Sequence, residues 1–393
     1  MSTADRQTSG NAGCGVRKCA LGAIRFLCSI GFVSAGRAAE GVSPDSLIGI
    51  PATVDRCLAE PLFPLRGGVV FVCRAEKLAR FEFESKHMGT VFRVVLYAAD
   101  KAAAEKAAAN AFARVAELDR AMSDYNPNSE LMRLCKDNDA DPGVAMKVGD
   151  DLFDVLDKAS AVSAASDGAF DVTVGPLVGV WRIARRTQQL PDAKEIAEAK
   201  AKVGFRMVTL DPKAKTVALK VPGMRLDLGG IGKGYAADAA LAVLAKAGIS
   251  RALVAASGDI TVGDAPPDAD AWTVDIAPIG KGMPARTVKL VNAAVSTSGD
   301  LFQFVEIAGV RHSHVLDPRT GLALTGRRSV TVVARRGTQA DSLTKAASVL
   351  PPDKALKLID GTDVAACFIV VKESDDAKEV VTESKRFADY LKR

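Results

Sequence analysis

The sequence predicts one α+β domain of mixed sheet and packed helices over residues 81–393, preceded by a separate segment at 1–80. Three observations carry this prediction. From Phe81 onward, stretches of period-two alternation interleave with stretches of helical period. No internal repeat and no Gly/Ser-rich or Pro-rich linker interrupts them. Hydrophobic residues at 48% and charged residues at 25% give the balance of a folded globular chain, and 393 residues suffice for a sizeable core.

Composition also excludes some functions. The net charge of +5 is a mild excess without the density or aromatic interleaving of a nucleic-acid surface, so no nucleic-acid partner is expected. The histidines are His87, His312 and His314, and five of seven cysteines fall before residue 74. Cys135 and Cys367 remain, too few for a four-ligand zinc cluster.

The first eighty residues read as a leader or a disordered extension. Arg17 and Lys18 precede an apolar stretch from Cys19 to Ala35, broken by Arg25, with small residues following at Ala38 and Ala39. That is the order of a secretory signal, charged start first and cleavage end last. A second apolar run, Val69 to Cys73, could equally end a leader that starts downstream of Met1. Neither run reaches the roughly 20 apolar residues of a spanning helix. The expected location is exported, periplasmic or membrane-associated, or cytoplasmic if the leader is a mis-assigned start.

The elements then follow in order. Phe81 to Ser85 alternates, and Met88-Gly89-Thr90 leads into Val91 to Tyr97, which predicts paired strands. Ala104, Ala108, Ala111, Val115, Leu118 and Met122 form one stripe at spacings of 4, 3, 4, 3 and 4, a helix with Asp100 as its cap. Ser123 to Ser129 is a turn cluster, and Asp151 to Ser166 is a second helix. Gly168 to Pro176 reads as a turn and strand carrying one carboxylate, Asp171. Between Trp181 and Gly223 a charged helix from Asp192 and a hairpin turning at Asp211-Pro212-Lys213 have the composition of a peripheral insertion.

Met224, Leu226 and Leu228 alternate as a strand, then Gly229-Gly230-Ile231-Gly232-Lys233-Gly234-Tyr235 opens a helix that Gly248 stops. Strand, glycine turn and helix start make an anion site, because glycine lets the backbone approach a phosphate and the first helical N–H groups point at it. Lys233 adds a positive charge. A P-loop would need Gly at 227 and Ser or Thr at 234, and the dinucleotide pattern would need Gly at 235; neither is met. The alternative is a tight turn that packs a helix on a sheet. Leu253 to Ile260 is a core strand broken at Ser257-Gly258-Asp259, as a bulge or a ligand-approach loop.

Ser296-Thr297-Ser298-Gly299-Asp300 reads as a hydroxyl-rich turn suited to a phosphate or a flavin edge. His314, just before the turn Asp317-Pro318-Arg319-Thr320-Gly321, is either a general base, since imidazole titrates nearest working pH, or a turn histidine. His312 shares its strand face, but a metal pair there would lack a third nitrogen ligand. Asp341 begins an apolar helix, as a favourable N-terminal charge or as a ligand for a hard cation.

In this order these motifs, from Met88-Gly89-Thr90 through Asp124-Tyr125-Asn126-Pro127-Asn128-Ser129, Gly168-Ala169-Phe170-Asp171, Asp227 to Ala236, Ser257-Gly258-Asp259 and Ser296 to Asp300 to His314 through Gly321, resemble the ApbE family of FAD:protein FMN transferases. The resemblance covers roughly residues 81 to 370. It implies an enzyme that cleaves the diphosphate of FAD, releases AMP and places FMN on a Thr or Ser hydroxyl of a partner flavoprotein, an exported or membrane redox protein, with magnesium. By the same resemblance Met88, Tyr125, Ala169, Phe170 and Asp171 would line the flavin and adenosine pocket, and Lys233 and Asp238 would contact the nucleotide. Thr297, Ser298 and Gly299 would face the reacting phosphate, His314 would be the base, and the Gly232 carbonyl with Asp341 would bind Mg²⁺.

The sequence departs from that pattern where the family's metal helix carries a Thr four residues after the Asp. Here that position is Lys345, and an ammonium offers no lone pair to a metal. Thr344 lies about 100° around the helix and is a poor substitute. Gly179 replaces a common Asn, and Ser257 replaces the usual Gly. Either Lys345 takes the cation's place, or the site binds flavin with weak or no turnover. Competing readings are an FAD pyrophosphatase giving FMN and AMP, and a flavin-binding protein with a degenerate metal site.

Overall fold

A hairpin opens the fold in the computed structural model, which describes residues 77–276, 286–299, 304–362, 365–372 and 378–391. Residues 1–76 of the predicted leader, and Asp300, lie outside the described residues. Strands β1 (Ala79–His87) and β2 (Thr90–Ala98) pair antiparallel through Met88 and Gly89, whose φ values of +49° and +71° give the turn a hand that suits twisted strands. Helix α1 (Lys101–Met122) follows. Asp100 accepts from the Ala103 N–H at 2.8 Å, and all six stripe residues are buried.

Next come α2 (Glu130–Ala140), β3 (Met146–Lys147), α3 (Asp150–Ala165), α4 (Gly175–Thr187), α5 (Ala193–Lys200), β4 (Val208–Asp211) and β5 (Thr216–Leu219). Then α6 (Gly232–Lys246), β6 (Ala252–Ala256), β7 (Asp259–Val262), β8 (Trp272–Ile276), β9 (Arg286–Leu290), β10 (Ala293–Gly299), β11 (Phe304–Ile307), β12 (Val310–Leu316) and β13 (Ala323–Thr325) follow. The chain continues with β14 (Arg327–Ala334), α7 (Gly337–Val349), α8 (Pro352–Asp360), β15 (Ala366–Lys372), β16 (Val380–Glu383) and α9 (Phe387–Leu391).

The central sheet has the order β1-β2-β6-β7-β10-β14-β15-β16, with every neighbouring pair antiparallel. Both faces are covered, which explains the unbroken apolar run Val94-Val95-Leu96. Val94 and Leu96 join the core beneath α1 and α6, while Val95 joins Trp272 of β8, Leu290 of β9 and Phe387 of α9 on the opposite face. Helix α7 lies over β10 and β14, and the smaller sheet β11-β12-β13 stands beside it.

Several local readings are corrected. Met224, Leu226 and Leu228 keep their alternating burial, yet the stretch forms one isolated bridge, Arg225 to Val174, instead of a strand. Its backbone donors go elsewhere, Asp227 N–H to the Val172 carbonyl at 2.7 Å and Leu226 N–H to Cys135 Sγ at 3.4 Å. Ser296 to Gly299 is no turn but the end of β10, paired with β7 and β14. After Asp171 the chain turns directly into α4, with Pro176 in its first turn, so no strand forms there. The sequence reading also missed α2, which Ser129 caps by accepting from the Met132 N–H at 3.0 Å.

Candidate active site

The glycine-rich turn sits where two helices cross. A Cβ on Gly234 would lie 2.1 Å from the Gly337 carbonyl oxygen, so α6 and α7 touch backbone to backbone. A Cβ on Gly230 would meet Lys345 Cγ at 3.0 Å and Phe170 Cε2 at 3.3 Å. Both glycines are therefore packing necessities as well as candidates for phosphate approach.

Across this crossing four charged side chains meet. Lys233 Nζ lies 2.8 Å from Asp259 Oδ2 and 3.7 Å from Asp341 Oδ2. Gly234 N–H donates to Asp341 Oδ2 at 3.2 Å, and Ser296 Oγ donates to Asp259 Oδ1 at 2.6 Å. Lys345 Nζ donates to Ser298 Oγ at 2.9 Å. Asp341 is 0% exposed, and its Oδ1 has no hydrogen-bond partner within the protein. Burial and the neighbouring Asp259 push its carboxyl above the usual range. For Asp259 burial acts in the same direction, but Lys233 and Lys345 outweigh it and hold the carboxyl below 3.8. Burial opposes the Lys233 charge too, and Asp341 and Asp259 overcome it, raising that ammonium. Lys345 is pushed down, chiefly by burial.

The other sequence-predicted residues fall in distinct places. Asp238 faces the start of α7, accepting from Gly337 N–H at 2.7 Å, Thr338 N–H at 2.9 Å and Thr338 Oγ1 at 2.7 Å. Asp171 is buried and accepts from Thr173 N–H and Oγ1 and from Phe205 N–H, so its carboxylate ties one loop to the next. Met88 N–H donates to Asp119 Oδ2 at 2.8 Å in the first hairpin turn. Ala169 and Phe170 are buried, whereas Tyr125 is 78% exposed with the Arg182 guanidinium 4.6 Å from its ring centre. Gly232 is the first residue of α6. Thr297 Oγ1 lies 2.9 Å from Thr331 Oγ1. Ser298 and Gly299 line a cavity of about 170 Å³ with Ser313, Val315 and Arg328, and half-buried His314 stands between two of those residues on β12. Contacts thus run from Gly230 through Lys345 and Ser298 to the cavity that Ser313 and Val315 of β12 also line, and His314 is not among its lining residues.

Asp259 and Ser296 belong to motifs the sequence singled out, but only the fold gives them partners. The available signal was a carboxylate and two hydroxyls at the ends of otherwise apolar strands, where buried polar groups need each other.

A model of the ApbE family matches residues 88–368. The chain belongs to the ApbE family. Among similar proteins, the FAD:protein FMN transferase of Klebsiella pneumoniae is 32% identical over 315 residues, covering 78% of this chain and 88% of the relative. The solved flavinyl transferase ApbE of Pseudomonas stutzeri superposes with a TM-score of 0.70 at 30% identity, over 80% of this chain and 97% of that one. The flavin transferase ApbE of Vibrio cholerae gives a TM-score of 0.71 at 25% identity, over 80% and 100%.

Within this ApbE chain the residues do not fit a divalent cation. Asp341 Oδ1 is an orphaned buried acceptor, which is one suitable ligand atom. Against it stand Lys233, whose ammonium already faces both Asp259 and Asp341, and Lys345, whose ammonium ends at Ser298 and whose charge acts on both carboxylates. A Mg²⁺ bound at Asp341 would sit beside these two cations and be repelled by them. Among the described residues no group of three or more His, Cys, Asp or Glu is arranged to hold a metal.

Proposed function

We propose that this protein transfers FMN from FAD to a Thr or Ser hydroxyl of a partner flavoprotein and releases AMP. FAD is the substrate and a protein is the acceptor, in keeping with its relatives' activity. The observation that carries the reading is the convergence of the glycine turn, the start of α6, Lys233 and Lys345 on one polar cluster. Backbone N–H groups and ammonium donors in such an arrangement suit the oxygens of a diphosphate, whose displacement needs donors of this kind.

In this reaction the hydroxyl oxygen attacks the phosphorus of the FMN half, and the bond to the AMP phosphate breaks. His314 takes the hydroxyl proton. Lys233 and the N–H groups around residues 229–235 hold the diphosphate oxygens, while Thr297, Ser298 and Gly299 border the reacting phosphate. Met88, Tyr125, Ala169 and Phe170 form the flavin and adenosine side. Asp171 and Asp238 act by positioning, since their hydrogen bonds fix the walls and the α7 start. No step is routed through a metal.

The acceptor we propose is an exported or membrane redox protein, and the enzyme itself an exported one. The leader features at 17–39 support this. N-terminal sequencing of the mature protein after cell fractionation tests it; an intact Met1 in the cytosol would refute it.

Incubation with FAD and a Thr-bearing acceptor peptide, read by mass, tests the activity. A flavinylated peptide is expected. Free FMN with AMP and no peptide adduct would mean a pyrophosphatase, and intact bound FAD would mean a binding protein.

A further inference from the structure

We propose that Lys345 supplies, at the FAD diphosphate, the positive charge that a divalent cation would otherwise bring, so that this protein engages its flavin dinucleotide without metal. The inference rests on the flavin-transferase reading above and adds the identity of the cation.

Position is the first argument. Lys345 follows Asp341 by four residues on α7, so both project from one face of the helix toward the start of α6. Its stem lies against Gly230, where any side chain on the turn would crowd it at 3.0 Å. The ammonium ends at Ser298 Oγ, 2.9 Å away, at the edge of the cavity that Ser313 also lines. The cation is thus threaded between the glycine turn and the hydroxyl strand, the two segments an extended diphosphate must touch.

Charge is the second. Lys233 faces Asp259 and Asp341, and Lys345 adds a second cation whose charge also acts on both carboxylates while its ammonium ends at a hydroxyl, not at a carboxylate. Had a metal been the intended partner of Asp341 and Asp259, an extra ammonium one helical turn away would repel it. Lys345 is half-buried, and its ammonium is held by Ser298, which lines the cavity. An ammonium carries three donors, and phosphate oxygens form charge-assisted bonds with it. Unlike Mg²⁺, this charge is covalently tethered and no chelator removes it.

The alternative role for Lys345 is a counter-ion that only stabilises the fold around Asp341. FAD affinity separates the two, measured by flavin fluorescence in EDTA and in Mg²⁺ for the full chain and two variants. Wild-type affinity should agree within about twofold in the two buffers, whereas Lys345→Thr should bind about tenfold more weakly in EDTA and recover with Mg²⁺. Lys345→Met, which keeps the stem and removes the charge, should bind about tenfold more weakly in both buffers. Calorimetric Mg²⁺ titration without FAD should show binding to Lys345→Thr and none to the wild type. Wild-type affinity that rises about tenfold on adding Mg²⁺, or Lys345→Met binding FAD as the wild type does, would overturn the proposal alone. Wild-type protein that binds no FAD in either buffer would overturn the flavin-transferase reading and this inference with it. The wild-type comparison needs no variant to fold.

Discussion

Lys233 Nζ and Asp259 Oδ2 stand 2.8 Å apart at the junction of α6 and β7, one from the glycine turn and the other from the hairpin turn at Ser257-Gly258. Asp259 is 4% exposed, and the pair links the anion-binding end of a helix to the centre of the main sheet. Removing Asp259 leaves Lys233 with Asp341, 3.7 Å away, as its remaining carboxylate. Asp259→Asn should destabilise the fold by about 3 kcal/mol in urea unfolding. It should also weaken FAD binding, because Lys233 loses its anchor. A loss below about 0.5 kcal/mol would show the pair to be a solvent-screened contact.

The same carboxylate sets a pH dependence. Asp259 is held below its ordinary 3.8 in the folded protein, so its contribution to stability is complete above that value. It is lost as pH falls through the depressed folded value. Wild-type urea midpoints should therefore drop more steeply than those of Asp259→Asn as pH is lowered below about 4. Parallel profiles would remove Asp259 as the source.

Helix crossing at Gly234 makes a sharp steric prediction. The α6 backbone there meets Gly337, and Asp341 Cβ would be 2.9 Å from an added methyl. Gly234→Ala should push α6 from α7, cost about 2 kcal/mol or more, and lower the melting temperature. Wild-type stability in that variant would mean that the helices separate at no cost.

Asp238 should behave as a cap. Its carboxylate accepts both Gly337 and Thr338 N–H groups across the helix interface. Asp238→Ala is expected to lose about 1–2 kcal/mol of stability in a denaturant melt. Weakened FAD affinity with unchanged stability would assign it a direct nucleotide contact instead.

His314→Ala tests the proton acceptor. Flavin transfer to a peptide should fall about 10²–10⁴-fold while FAD affinity stays within about twofold. Unchanged transfer would remove the imidazole from the reaction.

Much of this could be read from residue order. The α1 stripe and its Asp100 cap, the first hairpin, and the helix opening at Gly232 and ending before Gly248 all carry local signals. Leu253 to Ile260, by contrast, reads as one strand with a bulge or loop and is a hairpin of β6 and β7 turning at Ser257-Gly258. Periodicity tells which side of an element is buried, and capping and glycine turns tell where it stops. The ordered motifs also sufficed for the family. They did not show that Met224 to Leu228 lacks a ladder, because alternating burial looks the same whether or not another strand lies alongside.

The charge cluster lay beyond that reach. Lys233, Asp259, Asp341 and Lys345 come from separate elements, and each has a plausible local reading: a solvated lysine, a loop carboxylate, a helix N-terminal charge, a polar helix face. Their meeting depends on α6 and α7 crossing at two glycines above β7 and β10. Local pattern records the preference of a side chain for water or core. Electrostatic pairing depends on distances between segments remote in the chain, and those are fixed only when helices and sheet stack together.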